Sequence, residues 1–319
     1  MIASVTLNPA VDKTITVPGF AVGKTNRCKV EQVDAGGKGI NVAKAARRLG
    51  CPVIALGFLA GKNGYFISES LATWSIPSDF IFVPGETRVN LKITDPVGGT
   101  ETEINEPGFQ VDTEHLEQLK QRIAVNSRRC AVMVFSGSLP PGAPLDTYAD
   151  FISVAKQSGC RAILDTGGAA LKNGLAARPD LIKPNRAEVE ELLQTKIESE
   201  QQLISAARRL LALGVGAAVI SLGAEGALGA SSDHLLRAKP PAVKARRSIA
   251  AGDAMVAGLA CAMKKNLSFS EALRLGTAAS AATVSMSGSN VAELKLIEEL
   301  LPQVRIENLS WALSNGAQR

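Results

Sequence analysis

Asp253 follows three very small residues, Ala250, Ala251 and Gly252, and it stands where an apolar pattern of helical spacing begins with Met255, Leu259 and Met263. At the start of a helix the backbone amides of Ala251, Gly252 and Asp253 can converge on an oxyanion, and the carboxylate can take a proton from a hydroxyl held nearby. Small side chains leave room for a phosphate there. The same stretch also reads as a plain helix start with Asp253 as its N-cap.

Three further stretches carry chemistry of the same kind. In "DAGGKGINVA" (Asp34 to Ala43), Gly36, Gly37 and Gly39 precede a helix. Glycines let a ligand approach the backbone, Lys38 adds a point charge, and the helix start offers free amides. An ordinary glycine-rich turn capped by Asn41 is the alternative. In "KPNRAEVEELL" (Lys183 to Leu193), Lys183 and Asn185 end a strand and Glu188 falls in the first turn of a helix, a place for nucleotide phosphate and hydrated Mg²⁺. The alternative is a capping box between Asn185 and Glu188. "SLGAEGAL" (Ser221 to Leu228) reads as a phosphate-side turn or as a hairpin turn.

Two common nucleotide motifs are absent. "GFLAGKN" is one residue short of a Walker loop and has Asn63 after the lysine, and "GGKGINV" puts Val42 where a dinucleotide fingerprint needs its last glycine. The cysteines and histidines offer no nucleophile and base couple.

The elements that must position these residues alternate along the chain. Short apolar runs such as "ASVTLN", "PVIALGFL", "CAVMVFSG", "RAILDTGG" and "AAVISLG" alternate with helical patterns, which predicts a mainly parallel sheet with helices on both faces. The spacing predicts a helix over 40–49: Val42, Ala45, Ala46 and Leu49 form its inner face, Lys44, Arg47 and Arg48 face away, and Gly50 ends it. Between about 14 and 33, and again between about 88 and 106, polar and apolar residues alternate instead. Those segments predict antiparallel strands, the second pair turning at Pro96 to Thr100, that form a flap over the core. No internal repeat or long linker interrupts the chain.

With 319 residues, 46% of them hydrophobic, the chain has ample material for a core. It has no apolar run of membrane-spanning length and no signal-peptide pattern at its start, so a cytoplasmic protein without a membrane partner is expected. Five scattered cysteines and two histidines suggest neither a disulfide frame nor a zinc site, and buried free thiols are expected. The net charge of +5 comes from dispersed pairs such as Arg128 and Arg129 with 4% aromatics, which argues against a nucleic-acid partner.

"TLNPAVD", "GGKGIN", "GETRVN", "SGSLPPG", "KPNRAE", "SLGAEGAL" and "AAGDAMVAG" stand in the order and spacing of the PfkB, or ribokinase-like, carbohydrate kinases, over about residues 2 to 290. The chain most resembles the branch of 1-phosphofructokinases and tagatose-6-phosphate kinases. The resemblance implies a ribokinase-like α/β fold over 1–319 with a small β-sheet lid, and a possible homodimer through that lid. It also implies ATP-dependent, Mg²⁺-assisted phosphorylation of a phosphorylated ketohexose. Fructose 1-phosphate is the first candidate and tagatose 6-phosphate the rival.

By that resemblance Asp253 is the catalytic base, and the backbone of Ala250, Ala251, Gly252 and Asp253 is the anion hole. Asp12 and Asn41 hold sugar hydroxyls with Gly36 and Gly37 alongside. Arg27, Lys38 and Arg88 grip the phosphate already on the substrate, with Ser136 at the same site. Lys183, Asn185, Ser221, Gly223, Ala224, Glu225, Gly226 and Gly252 serve the nucleotide, and Glu188 orders metal-bound water. The chain departs from the branch at Ala250, usually glycine, at Ala254, usually serine or threonine, and at Arg247. The changes at 250 and 254 also motivate a reading of another class, a sugar-phosphate-binding regulator with weak catalysis.

Overall fold

The structure is a computed structural model and describes residues 1–245, 250–286 and 291–311. The Arg246 and Arg247 pair, including the departure at Arg247, lies outside the described residues.

From the N-terminus, β1 (Ile2–Thr6) is followed by β2 (Ala10–Thr16) and β3 (Lys29–Gly36), and then α1 (Lys38–Arg48), β4 (Val53–Ala60), α2 (Gly61–Thr73) and β5 (Ser78–Val83). A hairpin of β6 (Arg88–Asp95) and β7 (Thr100–Asn105) precedes α3 (Thr113–Ser127), β8 (Val132–Ser136), α4 (Thr147–Gln157), β9 (Arg161–Asp165), α5 (Gly168–Gly174) and β10 (Leu181–Ile182). The rest runs through α6 (Arg186–Leu193), α7 (Glu200–Ala212), β11 (Ala217–Ser221), β12 (Ala227–Ser231), β13 (Leu235–Lys239), α8 (Ala251–Lys264), α9 (Phe269–Ser285), α10 (Leu294–Leu300) and β14 (Arg305–Asn308).

The apolar runs form one ten-stranded sheet in the order β14-β13-β12-β11-β10-β9-β8-β1-β4-β5. It is parallel from β5 to β11 and antiparallel from β11 to β14. Every residue of β4, "VIALGFLA", is buried because the sheet is covered on both faces. Val53, Ala55 and Leu59 join a core built with α1, α8 and α9. Ile54, Leu56 and Phe58, one residue out of phase, join the core beneath α3, α4 and α7.

Helix α1 begins two residues before the expected start and ends at Arg48 with Leu49 as its C-cap, followed by Gly50, whose φ of 72° suits the residue after a helix. Its inner face is as expected, with one correction. Lys44 does not face away; it is buried and its Nζ donates to the carbonyl of Ala35 at 2.6 Å. The apolar stem of lysine can cross a core provided its amine finds an acceptor.

The two alternating segments form the second sheet, β3-β2-β6-β7. Both hairpins are antiparallel, as expected, but they are joined by a parallel pair of β2 and β6. The strands start at Ala10 rather than Thr14, and residues 17–28 are not strand. Among the cysteines, Cys51, Cys130, Cys160 and Cys261 are buried free thiols, whereas Cys28 is exposed.

Candidate active site

Parallel strands carry their loops to one edge, and the residues singled out above collect there. Ser136 ends β8, Asp165 ends β9, Lys183 follows β10 and Ser221 ends β11. The small sheet stands over this edge. Between them lies a cleft of about 610 Å³ whose lining includes Asp12, Gly37, Lys38, Asn41, Arg88, Asn90, Asp165, Lys183, Asn185, Glu188, Ser221, Ala250, Gly252 and Asp253.

Helix α8 brings Asp253 into it. Ala250 is the N-cap, in the left-handed conformation with φ 61°, so Asp253 sits in the first turn and is not the cap. The first backbone hydrogen bond of the helix runs from the Ala254 amide to the Ala250 carbonyl at 2.9 Å, so the amides of Ala251, Gly252 and Asp253 have no acceptor within the helix. The helix is held from behind by close packing on α9. A Cβ at Gly258 would lie 2.7 Å from the Cα of Gly276, so only glycine permits this approach. Ala254 is buried in that core, away from the cleft lining.

Asp253 is buried, and Asn41 Nδ2 donates to its Oδ2 at 2.8 Å. Asn41 thus lies inside α1 and does not cap it; Gly37 is the N-cap. Burial, reinforced by the charge of Asp165, pushes the Asp253 carboxyl up to about 6 against the pull of Asn41, Lys38 and Lys183. A carboxylate so placed binds a proton more readily than an exposed one, which suits a general base.

Asp165, which the sequence reading did not single out, organises the centre. It is buried, 3.5 Å from the amine of Lys38 and 3.4 Å from that of Lys183, and accepts a 2.9 Å hydrogen bond from Ser136. Burial alone would raise its carboxyl, but Lys183 and Lys38 with the Ser136 hydroxyl outweigh burial and hold it below the usual range. The signal for it was its place as the last residue of "RAILD", at the carboxyl end of a parallel strand.

Several expected residues are thereby re-placed. The charged neighbours of Lys38 are Asp165, Glu188 and Asp253, at the end of the cleft where Asp253 lies. Ser136 is buried and bonded to Asp165, outside the cleft lining. Arg27 lies in the exposed stretch before β3 and is not brought to the cleft. Asn185 and Glu188 do form the capping box of α6, through bonds of 2.9 and 2.8 Å, and both also line the cleft. Ser221 lines the cleft, but Gly223 to Gly226 do not. They form the turn of the β11–β12 hairpin, with Glu225 paired to Arg186 and Arg237.

Arg88 is held at the opposite wall. Its Nη1 donates to the Glu106 carbonyl at 3.1 Å and its Nη2 to the Asn8 carbonyl at 3.2 Å, while its Nε is shielded and has no partner among the described residues. Asp12 stands on β2 directly opposite Asn90 on β6.

The pattern described as pfkB family carbohydrate kinase matches residues 5–295. The chain belongs to this family. It is 36% identical over 309 residues to the 1-phosphofructokinase of Rhodobacter capsulatus, covering 97% of this chain and 98% of the relative. It is 39% identical over 280 residues to that of Xanthomonas campestris pv. campestris, covering 86% and 88%. Among solved structures, phosphofructokinase-2 from Escherichia coli in complex with potassium superposes with a TM-score of 0.90 at 30% identity, covering 95% of this chain and 98% of that one. The expected ribokinase-like architecture, with its large sheet and separate small one, is therefore present in this pfkB-family chain.

Proposed function

We propose that this sugar-phosphate kinase transfers the γ-phosphoryl group of ATP to fructose 1-phosphate, giving fructose 1,6-bisphosphate and ADP. The observation that carries the chemistry is the buried Asp253 at the amide-rich start of α8, beside Asn41 and the Lys38–Asp165–Lys183 cluster.

Asp253 takes the proton of the attacking hydroxyl as its oxygen bonds to the γ-phosphorus and the bond to the bridging oxygen of ADP breaks. The amides of Ala251 and Gly252 and the amines of Lys38 and Lys183 face the charge that builds on the transferring group. Phosphoryl transfer asks mainly for such positioning and neutralisation. Asp12 and Asn41 hold the sugar hydroxyls beside Gly36 and Gly37, and Arg88 supplies the positive charge for the phosphate the sugar already carries. Asn185 and Ser221 lie where the nucleotide phosphates approach.

The donor set fits a hydrated Mg²⁺. Asp165 Oδ1 is already set between the amines of Lys38 and Lys183, at 3.5 and 3.4 Å, so Glu188, which lines the same cleft, is the carboxylate that would face such an ion through water. No group of three or more His, Cys, Asp or Glu among the described residues forms a cage. Magnesium suits such a site because it retains waters and takes the rest of its ligands from nucleotide phosphates. When bound, such an ion would neutralise phosphate charge, and Glu188 would hold one of its waters.

The small sheet acts as the lid, keeping water from the transferring group. Its face away from the cleft exposes Val30, Val33 and Ile104, a surface suited to the lid of a second copy. Sedimentation checks this: Val33→Glu with Ile104→Glu gives monomers if the lids pair. A cytoplasmic location is the reading that its need for ATP and its free thiols support; no helix among the described residues is long and apolar enough to cross a membrane.

The test is coupled ADP release with Mg-ATP across fructose 1-phosphate, tagatose 6-phosphate, fructose 6-phosphate and fructose. Preference for fructose 1-phosphate supports the reading, and equal or greater activity on tagatose 6-phosphate overturns the choice of sugar. Sugar-phosphate binding without turnover on any of them would favour the regulator, for which Ala250 and Ala254 are the motive.

A further inference from the structure

We propose that Asn90 is a positioning residue for substrate recognition: its side-chain amide holds Asp12 in the one orientation in which that carboxylate meets the hydroxyls of the sugar. The proposal rests on the reading of Asp12 as a sugar ligand.

Side chains alternate along a strand, so Asp12 and Thr14 on β2 share the cleft face with Asn90 and Lys92 on β6, all four lining the cleft. Asn90 Nδ2 donates to Asp12 Oδ1 at 2.9 Å. The other oxygen lies against Gly36. A Cβ at Gly36 would fall 1.9 Å from Asp12 Oδ2, so the carboxylate occupies the space a side chain at 36 would need. One oxygen is tied by an amide and the other is seated over a glycine.

The rest of Asn90 shows that it is not there to build the sheet. An ionised carboxylate only accepts hydrogen bonds, so the amide nitrogen must face Asp12 and the amide oxygen must face away. That oxygen is shielded from solvent and has no partner among the described residues. Burying an unpaired carbonyl costs stability, and an apolar side chain of the same size would avoid that cost. What Asn90 provides in exchange is the bond to Asp12.

The charge around Asp12 fits. It is faced by Arg88 and Asn90 from β6, by Asp34 from β3 and by Lys44 from α1. Burial drives its carboxyl upward and Asp34 adds to the rise; the Asn90 bond opposes first, then Arg88 and Lys44, without cancelling it. Removing the amide therefore moves Asp12 further up and leaves it protonated over more of the acid range.

Asn90→Leu, compared with wild type, is assayed with fructose 1-phosphate and Mg-ATP across pH, and the Asp12 carboxyl is followed by ¹³C NMR with Asp12→Asn as the assignment control. The expected result is a KM for the sugar phosphate raised about tenfold, the loss of one charge-assisted hydrogen bond, with kcat and the KM for ATP little changed. The acid limb of kcat/KM and the Asp12 titration both move to higher pH. In the Asp12→Asn background the same change adds less than about twofold. An unmoved Asp12 titration, or an equal loss in both backgrounds, overturns the proposal. If Asn90→Leu does not fold, Asn90→Ser removes the amide with less disturbance and is read the same way. Wild type without turnover on any phosphosugar would sink the functional reading alone, because the NMR titration still decides whether Asn90 governs Asp12.

Discussion

The two walls of the cleft handle charge in different ways. On the large-sheet side, Asp165 and Asp253 are buried and set against Lys38 and Lys183, and each lysine lies within 3.5 Å of Asp165. On the small-sheet side, Arg88 spends its terminal nitrogens on backbone carbonyls, and Lys92 pairs at 2.8 Å with the exposed Glu101. Buried charges cannot reorganise cheaply, whereas rim pairs are worth little and exchange readily. On the proposed reading, the first wall is therefore preset for phosphoryl transfer, and the second is suited to engage and release a substrate.

The contrast predicts that substitutions in the first wall strike kcat and those in the second strike KM. Asp253→Asn should give the largest effect, a fall in kcat of about two to four orders of magnitude with sugar-phosphate binding retained, because only proton abstraction is lost. Stopped-flow turnover with parallel calorimetry checks this, and near-wild-type kcat removes Asp253 as the base. Its stability should change in the opposite sense. The folded carboxyl sits at about 6, above its ordinary 3.8, so the folded state binds more protons between those values and loses stability as pH rises through that window. Asp253→Asn should consequently melt higher than wild type at pH 8.

Asp165→Asn comes next. It takes from Lys183, almost wholly buried, the carboxylate 3.4 Å away, and removing one partner of a buried pair costs about 3 kcal/mol, the low end because Lys38 is partly exposed and Asp253 still faces both lysines. Denaturant unfolding reads the loss, and kcat should fall with it. On the other wall Arg88→Ala should raise KM for the phosphosugar about tenfold or more while kcat changes much less. A kcat effect as large as that of Asp165→Asn would erase the distinction between the walls. Across pH, wild-type kcat/KM should decline as pH falls through about 6, where Asp253 of the free enzyme takes up its proton. A profile flat down to pH 5 would contradict the raised carboxyl.

Legibility in the sequence followed the same division. The strands of the large sheet showed themselves because both their faces are apolar, and α1 because its inner face repeats at 3.6 residues. Local chemistry such as the Asn185 and Glu188 capping box was also readable, since its partners lie three residues apart. What escaped depends on contacts far apart in the chain. Asp165 gains its meaning from Lys38, 127 positions earlier, and from Ser136; no short window holds that cluster. Lys44 looked like a surface lysine until β3 supplied the Ala35 carbonyl that lets its amine be buried. The parallel union of β2 with β6 was invisible for the same reason, because each hairpin reads as complete on its own.

Ala250 gives the smallest effect and the finest test of how far the first wall is preset. Its φ of 61° is one that a side chain with a Cβ adopts only under strain, and it stands at the mouth of the anion site. Glycine there relieves strain of about 1 kcal/mol but gives the unfolded chain more freedom, worth about 0.4–1 kcal/mol in the other direction. The two nearly cancel, so Ala250→Gly should leave the melting temperature almost unchanged. Turnover is the discriminating readout. If the Cβ narrows the approach of the transferring group, the glycine variant should gain about two- to fivefold in kcat, which corresponds to less than about 1 kcal/mol of barrier. An unchanged kcat would mean that the left-handed turn itself, not the size of residue 250, sets the amides of Ala251 to Asp253.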